Sequence, residues 1–154
     1  MGNATHEHAD LLLRLYEMRR EPRLREAREW YVANFHVTSA EDMGRKFPMG
    51  SKESASVRML TSYWNMAASL VNRGLIDEEL FFENTGEQWI VWERIRPVIA
   101  DVRAGMKNPH YLSSLEENVK RLDAWRERVA PGSTEALRQR MAQAAPQQVK
   151  TAGD

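Results

Sequence analysis

The sequence contains no cysteine. This absence excludes disulfide bonds, thiolate nucleophiles and zinc sites built from cysteine ligands. It also fits the reducing cytoplasm, so we expect a cytoplasmic protein.

Neither an excess of charge nor a long apolar run is present. The 22 Lys and Arg residues balance the 22 Asp and Glu residues, which gives a formal net charge of zero at pH 7. A neutral chain lacks the general attraction of a basic protein to nucleic acid or anionic membranes, although a local patch stays an alternative. The apolar segment 11–13 is too short for the core of a signal peptide, and no run approaches the roughly 18 residues of a membrane span. We therefore expect no membrane association.

Recognisable catalytic and ligand-binding motifs are missing as well. His6 and His8 are two residues apart, so a helix would not bring them together as metal ligands, and His36 and His110 stand alone. There is no glycine-rich phosphate loop and no arguable Ser-His-Asp set. We expect no enzyme activity, no cofactor and no metal.

The strongest pattern that is present lies between residues 56 and 77. It has a wide apolar surface at helical steps of three and four, formed by Val57, Leu60, Trp64, Ala67, Ala68 and Val71, with Tyr63, Met66 and Leu70 beside them. Such a surface suits a helix that packs on two sides, so we expect a central helix over about 56–73. Gly74 suits the left-handed position after it, with Leu75 folding back onto Leu70 as in a Schellman cap.

Similar patterns and caps predict the other helices. In chain order, we expect helices from Thr5 to about Arg20, about 22–35, about 40–46 after Ser39, 78 to about Phe82 after Asp77, about 87–104, about 110–129 and about 133–143. Pro97 should kink the helix over 87–104. A β-hairpin made of Leu80–Phe82 and Trp89–Trp92 is the alternative for that part of the chain.

These elements predict an all-α protein, a compact bundle of five to seven helices. We expect a frayed N-terminus over 1–10, a single helical domain over 11–130, a short C-terminal helix over 131–143 and a disordered tail over 144–154.

Arginines and glutamates alternate through the first two predicted helices. The arginines are Arg14, Arg19, Arg20, Arg23, Arg25 and Arg28, and the glutamates are Glu17, Glu21, Glu26 and Glu29. A solvated face with ion pairs four residues apart explains the pattern, and Leu15 and Met18 would then face inward. A basic patch for an acidic partner or nucleic acid is the alternative.

Two further groups are candidate sites. Phe47 and Met49 lie in a loop and either form a contact patch or fold back on the core; with Arg19, Arg20 and Arg23 they make up our candidate interaction patch. Arg96 and Arg103 are seven residues apart, hence on one helix face. They would either bind an anion or form structural ion pairs with Glu83, Glu93 or Glu116.

Several segments also resemble a known family. They are Leu15-Tyr-Glu-Met-Arg-Arg with Arg25-Glu-Ala-Arg, Trp64 with Leu70-Val-Asn-Arg-Gly-Leu-Ile-Asp-Glu-Glu-Leu80, Trp92-Glu with Arg96-Pro-Val-Ile and Arg103, and Asn108-Pro with Tyr111. Together they resemble small helical bacterial proteins catalogued only as a domain of unknown function, over about residues 11–122. Where that family usually has Phe-Glu, this chain has Leu115-Glu116, which keeps an apolar anchor. The resemblance implies an all-helical fold and no particular activity.

We therefore expect a non-catalytic protein-interaction module that binds an unknown protein partner or forms a homodimer. The alternative is a nucleic-acid-binding or regulatory protein that uses the arginine-rich face of the first two helices.

Overall fold

The computed structural model describes residues 3–144, and these residues form helices and connections without any strand. The helices are α1 (His6–Arg19), α2 (Pro22–Asn34), α3 (Ala40–Lys46), α4 (Lys52–Asn72), α5 (Glu78–Asn84), α6 (Glu87–Ile95), α7 (Ile99–Met106), α8 (Ser113–Val129) and α9 (Ser133–Ala144). The all-α class is confirmed, and the β-hairpin alternative is wrong because both of its segments lie in helices. The predicted tail over 144–154 falls outside the described residues, except for Ala144.

The predicted number of helices, five to seven, is too low. A 3₁₀ turn, Arg96–Val98, joins α6 to α7, and counting these three pieces as one interrupted helix gives eight in the described residues. All eight had been expected as separate segments, so only the stated total was too low. The two shortest, α3 and α5, have seven residues each. Each has its own cap: the side chain of Ser39 accepts from the Asp42 amide, and that of Asp77 accepts from the Leu80 amide. Local capping therefore makes separate helices of segments that are too short to be stable alone.

The described residues divide into two compact units, the first ending at Lys120 and the second beginning at Arg121, with the boundary inside α8. The first unit holds α1 to α7 and the first half of α8. In the second unit the Asp123 carboxylate accepts from the Thr134 hydroxyl at 3.5 Å and pairs with Arg138 at 3.6 Å. Those contacts link the end of α8 to α9.

Helix α4 is the centre of the first unit, as predicted. It contacts α2, α5 and α6. Its buried apolar residues are Val57, Leu60, Tyr63, Trp64, Ala67, Ala68 and Val71. Met66, which was expected in the second apolar stripe, is instead exposed. The predicted Schellman cap is present, because the Leu75 amide donates to the Leu70 carbonyl and the Gly74 amide to the Val71 carbonyl, both at 2.9 Å.

Helix α8 is joined to α4 by side-chain amides. Asn65 Oδ1 accepts from the Leu115 amide at 3.0 Å, and Asn72 Nδ2 donates to the Ser114 carbonyl at 2.9 Å. The buried Asn118 donates to Asn72 Oδ1 at 3.2 Å. These directional contacts fix the register of α8 on α4, which apolar packing alone would define less sharply.

Candidate functional site

A buried carboxylate collects side chains from three other helices of the first unit. Glu87 is the first residue of α6, and its side chain is only 14% exposed. Arg28 of α2 donates to it through Nε at 2.8 Å and 3.0 Å and through Nη2 at 2.6 Å. Trp64 Nε1 of α4 donates at 3.0 Å, and Arg19 Nη2 of α1 lies at 3.4 Å. We call these four residues the Glu87 cluster.

The electrostatics of the Glu87 cluster favour a permanently charged carboxylate. Burial raises the pKa of Glu87, but the hydrogen bonds from Arg28 and Trp64 and the charges of Arg28 and Arg19 outweigh it, so the pKa lies below its ordinary value. The hydrogen bond to Glu87 likewise raises the pKa of Arg28. Near neutral pH the Glu87 cluster therefore has no proton to exchange, which is typical of a structural ion pair.

The Glu87 cluster was not predicted from the sequence. Arg19 and Arg28 were expected on a solvated face and Met18 was expected inward, whereas Met18 is exposed and Arg19 takes the inward place. Arg19 follows the buried Leu15 by four residues, and Arg28 follows the buried Leu24 by four. This spacing puts each arginine on the same helix face as a buried leucine, and it was the sequence signal that could have revealed the Glu87 cluster.

An apolar cavity of about 230 Å³ lies beside the Glu87 cluster, beneath α1. Its lining comes from α1, α4, α5 and the residue after α5: Leu12, Leu13, Leu15, Tyr16, Arg19, Tyr63, Trp64, Phe81, Asn84 and Thr85. Leu13 and Tyr16 are 62% and 56% exposed, so both also reach the surface. We call this concavity, with Leu13 and Tyr16, the α1 cavity.

Most polar groups around the α1 cavity already have partners. The Tyr63 hydroxyl donates to the Leu15 carbonyl, and the Thr85 hydroxyl donates to the Phe81 carbonyl at 2.8 Å. The Arg19 guanidinium lies 5.2 Å from the Trp64 ring centre and 5.5 Å from that of Tyr16. Arg19 Nε is buried without a hydrogen-bond partner in the described part of the chain, but the other polar groups named here are engaged. The lining is therefore mainly suited to an apolar group.

The residues of the predicted interaction patch have different surroundings in the structure. Phe47 packs edge-on against Trp30 with ring centres 5.1 Å apart and lies 5.6 Å from Phe35, so it folds back on the protein. Met49 is 94% exposed. Arg19 belongs to the Glu87 cluster.

Asp42 holds the segment that leads to Phe47. Its buried carboxylate accepts from the Thr38 amide at 3.1 Å and pairs with Lys46 at 3.1 Å and Arg45 at 2.7 Å. The hydrogen bond from Lys46, together with those from Thr38 and Arg45, lowers the pKa of Asp42 to about 2. Asp42 is therefore ionised at neutral pH and links Thr38, before α3, to Arg45 and Lys46 at the end of α3.

Arg20 and Arg23, the other members of that patch, are exposed. Arg23 lines a wider cavity of about 670 Å³ between α2 and α4, together with Glu26, Trp30, Lys52 and Met59 among others. Lys52 lies 3.7 Å from Glu26 there. Because both signs of charge line this cavity, it offers no concentrated positive field to an anion.

Arg96 and Arg103 have different carboxylate partners. Arg96 pairs with Glu93 at 3.1 Å, and Arg103 pairs with Glu116 at 2.8 Å while its Nε donates to the Tyr111 carbonyl at 2.9 Å. Both are structural ion pairs, the alternative to anion binding that the sequence also offered for these two arginines. Anion binding at this pair stays a prediction.

Neither metal-binding nor membrane-spanning features are found in residues 3–144. In that range no group of three or more His, Asp or Glu side chains is arranged to hold a metal ion. No helix there combines the length and the apolar character that crossing a bilayer requires.

Fold and site together define a small helical protein with a central helix, an internal ion-pair cluster and an apolar surface cavity. The chain belongs to the family described as Domain of unknown function (DUF4760), whose model matches residues 4–122. The resemblance seen in the sequence is thereby confirmed, and the match includes α1 from before its first turn. Comparisons with curated proteins and with solved structures found no match.

Proposed function

We propose that this protein is a non-catalytic protein-interaction module and that the α1 cavity is its binding site. The observation that carries the proposal is an apolar concavity with two exposed, large apolar side chains at its edge, Leu13 and Tyr16. Exposed apolar groups around a recess are typical of interaction surfaces, and Tyr is enriched among the residues that dominate binding.

The size of the α1 cavity favours a protein side chain over a small-molecule ligand. Its volume of about 230 Å³ lies below the roughly 300–1,000 Å³ typical of small-molecule sites. A cavity of about 150 Å³ holds a benzene-sized group, so the α1 cavity suits one large apolar side chain. The proposed partner therefore presents such a side chain, and the proposed setting is the bacterial cytoplasm, which the absence of cysteine supports.

Site-specific photo-cross-linking in cells tests this proposal. A photoreactive amino acid replaces Leu13 in one version of the full chain and Leu75, a leucine that is 50% exposed, in the control. We expect one protein to cross-link from position 13 and not from position 75, and a second copy of the chain counts as such a protein. The cross-link should disappear in Tyr16→Asp, whose helical content is checked by circular dichroism.

Three outcomes would contradict the proposal. The same mixture of proteins from both positions would show that Leu13 marks no specific surface. The absence of any cross-link from position 13 would remove the α1 cavity as a binding site. In a third version with the photoreactive residue at Met49, a specific cross-link there and none from position 13 would move the interface to the exposed Met49.

A further inference from the structure

We propose that the group entering the α1 cavity comes from α1 of a second copy of this chain, packed antiparallel about a two-fold axis close to Leu13 and Tyr16. This inference rests on the proposed function and names its partner. It makes the protein a homodimer in which each copy fills the cavity of the other.

Helix α1 carries both parts that a two-fold interface needs. In such an interface the same surface meets itself, so it must contain a projection and a recess that fit each other. Leu13 and Tyr16 project from α1 to the surface, and the α1 cavity opens beside them. The cavity is large enough for one of these side chains, so two copies can exchange them symmetrically.

The charges of α1 are also complementary to themselves when two copies run antiparallel. Glu7 and Asp10 make its first half acidic, and Arg20 at its C-cap is basic; all three are exposed. Asp10, Leu13, Glu17 and Arg20 follow at steps of three, four and three, which places them on one face. An axis close to Leu13 and Tyr16 puts Asp10 of each copy opposite Arg20 of the other, and parallel pairing would instead put like charges together.

Two other features of the molecule permit this arrangement. Asp10 pairs with Arg14 at 3.1 Å, but both side chains are largely exposed, and such a pair is weak enough to rearrange. Arg19 is held by the Glu87 cluster, which leaves Arg20 as the basic group at the end of α1. The formal net charge of zero adds no long-range repulsion between copies.

Charge reversal tests the arrangement by analytical ultracentrifugation of the full chain. We expect a dimer whose dissociation constant rises about tenfold or more in Asp10→Lys and in Arg20→Glu, because each change creates two like-charge contacts per dimer. The double variant Asp10→Lys with Arg20→Glu should return to within about threefold of the original chain, since the reversed charges pair again. Arg140→Glu, an exposed arginine of α9, is the matched control and should leave the constant unchanged.

A second measurement uses the absence of cysteine. Glu17→Cys places a unique thiol near the proposed axis, and Leu75→Cys places one elsewhere. A short bismaleimide should join two copies through position 17 and not through position 75. Rescue by the double variant and selective cross-linking would both be unexpected for a dimer built on another surface.

The outcomes separate this inference from the proposed function. A chain that stays monomeric up to its solubility limit, or a dimer that neither charge reversal weakens, overturns the second copy as partner. If a different protein then cross-links specifically from Leu13, the interaction module stands with another partner. If nothing cross-links from Leu13, both proposals fail.

Discussion

Glu87 is the residue through which α1, α2, α4 and α6 are tied together, since its carboxylate meets Arg19, Arg28 and the Trp64 indole. Removing one member of a buried ion pair leaves the others desolvated and uncompensated. Glu87→Ala should therefore lower the free energy of unfolding by about 3 kcal/mol, measured by urea denaturation followed by tryptophan fluorescence.

The control for that change is Glu83→Ala, because Glu83 is an exposed glutamate of the neighbouring α5. It should alter stability by no more than about 0.5 kcal/mol. Equal losses in the two variants would show that the Glu87 cluster contributes nothing beyond an ordinary surface charge.

The depressed pKa of Glu87 also predicts how stability depends on pH. A carboxyl whose pKa is lower in the folded than in the unfolded protein stabilises the fold above its unfolded pKa, and this contribution is lost as the pH falls through the folded value. Between about pH 5 and pH 3, the free energy of unfolding should fall less steeply in Glu87→Gln than in the original chain. Asp42 is present in both proteins, so its own acid sensitivity does not affect the comparison. Parallel pH profiles would contradict the lowered pKa.

For single residues, helix caps were predicted correctly from the sequence, whereas ion-pair partners far apart in the chain were not. Thr5, Ser39 and Asp77 cap helices as expected because a cap joins residues three apart, a distance that the sequence shows directly. The pairing of Arg28 with Glu87 spans 59 residues, and several other glutamates were equally eligible. Which of them meets an inward arginine depends on the packing of whole helices.

At the scale of single helices, two glycines provide a matched test of backbone conformation. Gly74 ends α4 with φ of +74°, whereas Gly105 lies inside α7, and at both positions an added Cβ would meet nothing within 4 Å. Gly74→Ala should therefore cost about 1 kcal/mol through backbone strain alone. Gly105→Ala should stabilise by up to about 1 kcal/mol because it restricts the unfolded chain in a helical position. Thermal denaturation of the two variants should shift in opposite directions, and shifts of the same sign would contradict the Schellman cap.

The helices themselves were largely predictable because apolar periodicity and turn residues are local signals. Pro97 correctly marked an interruption, which the structure resolves into a 3₁₀ turn between α6 and α7. In α8, Leu115, Val119 and Leu122 are buried, but Val129, seven residues after Leu122, is exposed. The spacing of apolar residues shows that they share a helix face. It does not show how far along the helix the neighbouring elements cover that face.

At the scale of the whole molecule, the balance of charge bears on the nucleic-acid alternative. Arg19 and Arg28 are drawn into the Glu87 cluster, so fewer arginines of α1 and α2 face outward than the sequence indicated. At about 150 mM salt we expect no binding to a DNA duplex within the roughly 10⁻⁴–10⁻⁶ M range of non-specific binders. Fluorescence anisotropy with a labelled duplex measures this. Micromolar binding that weakens steeply with salt and disappears in Arg20→Glu with Arg23→Glu would support that alternative instead.

The α1 cavity was not predictable from the sequence, although Leu15, Tyr63 and Trp64 of its lining were expected to face inward. A cavity arises where α1, α4 and α5 fail to fill the space between them, and that depends on their crossing geometry rather than on any pattern along one helix. Leu13 is an example, because the residue type alone does not show whether a leucine is buried or exposed.

The asparagine contacts between α4 and α8 have a consequence for the order in which the chain folds. The Leu115 amide lies in the first turn of α8, where no earlier turn of the helix supplies an acceptor, and its acceptor is Asn65, fifty residues earlier. The first turn of α8 thus takes this hydrogen-bond acceptor from α4, a helix that is synthesised earlier. In a hydrogen-exchange experiment, the Leu115 amide should exchange with deuterium whenever α4 opens locally, even while the amides in later turns of α8 stay protected.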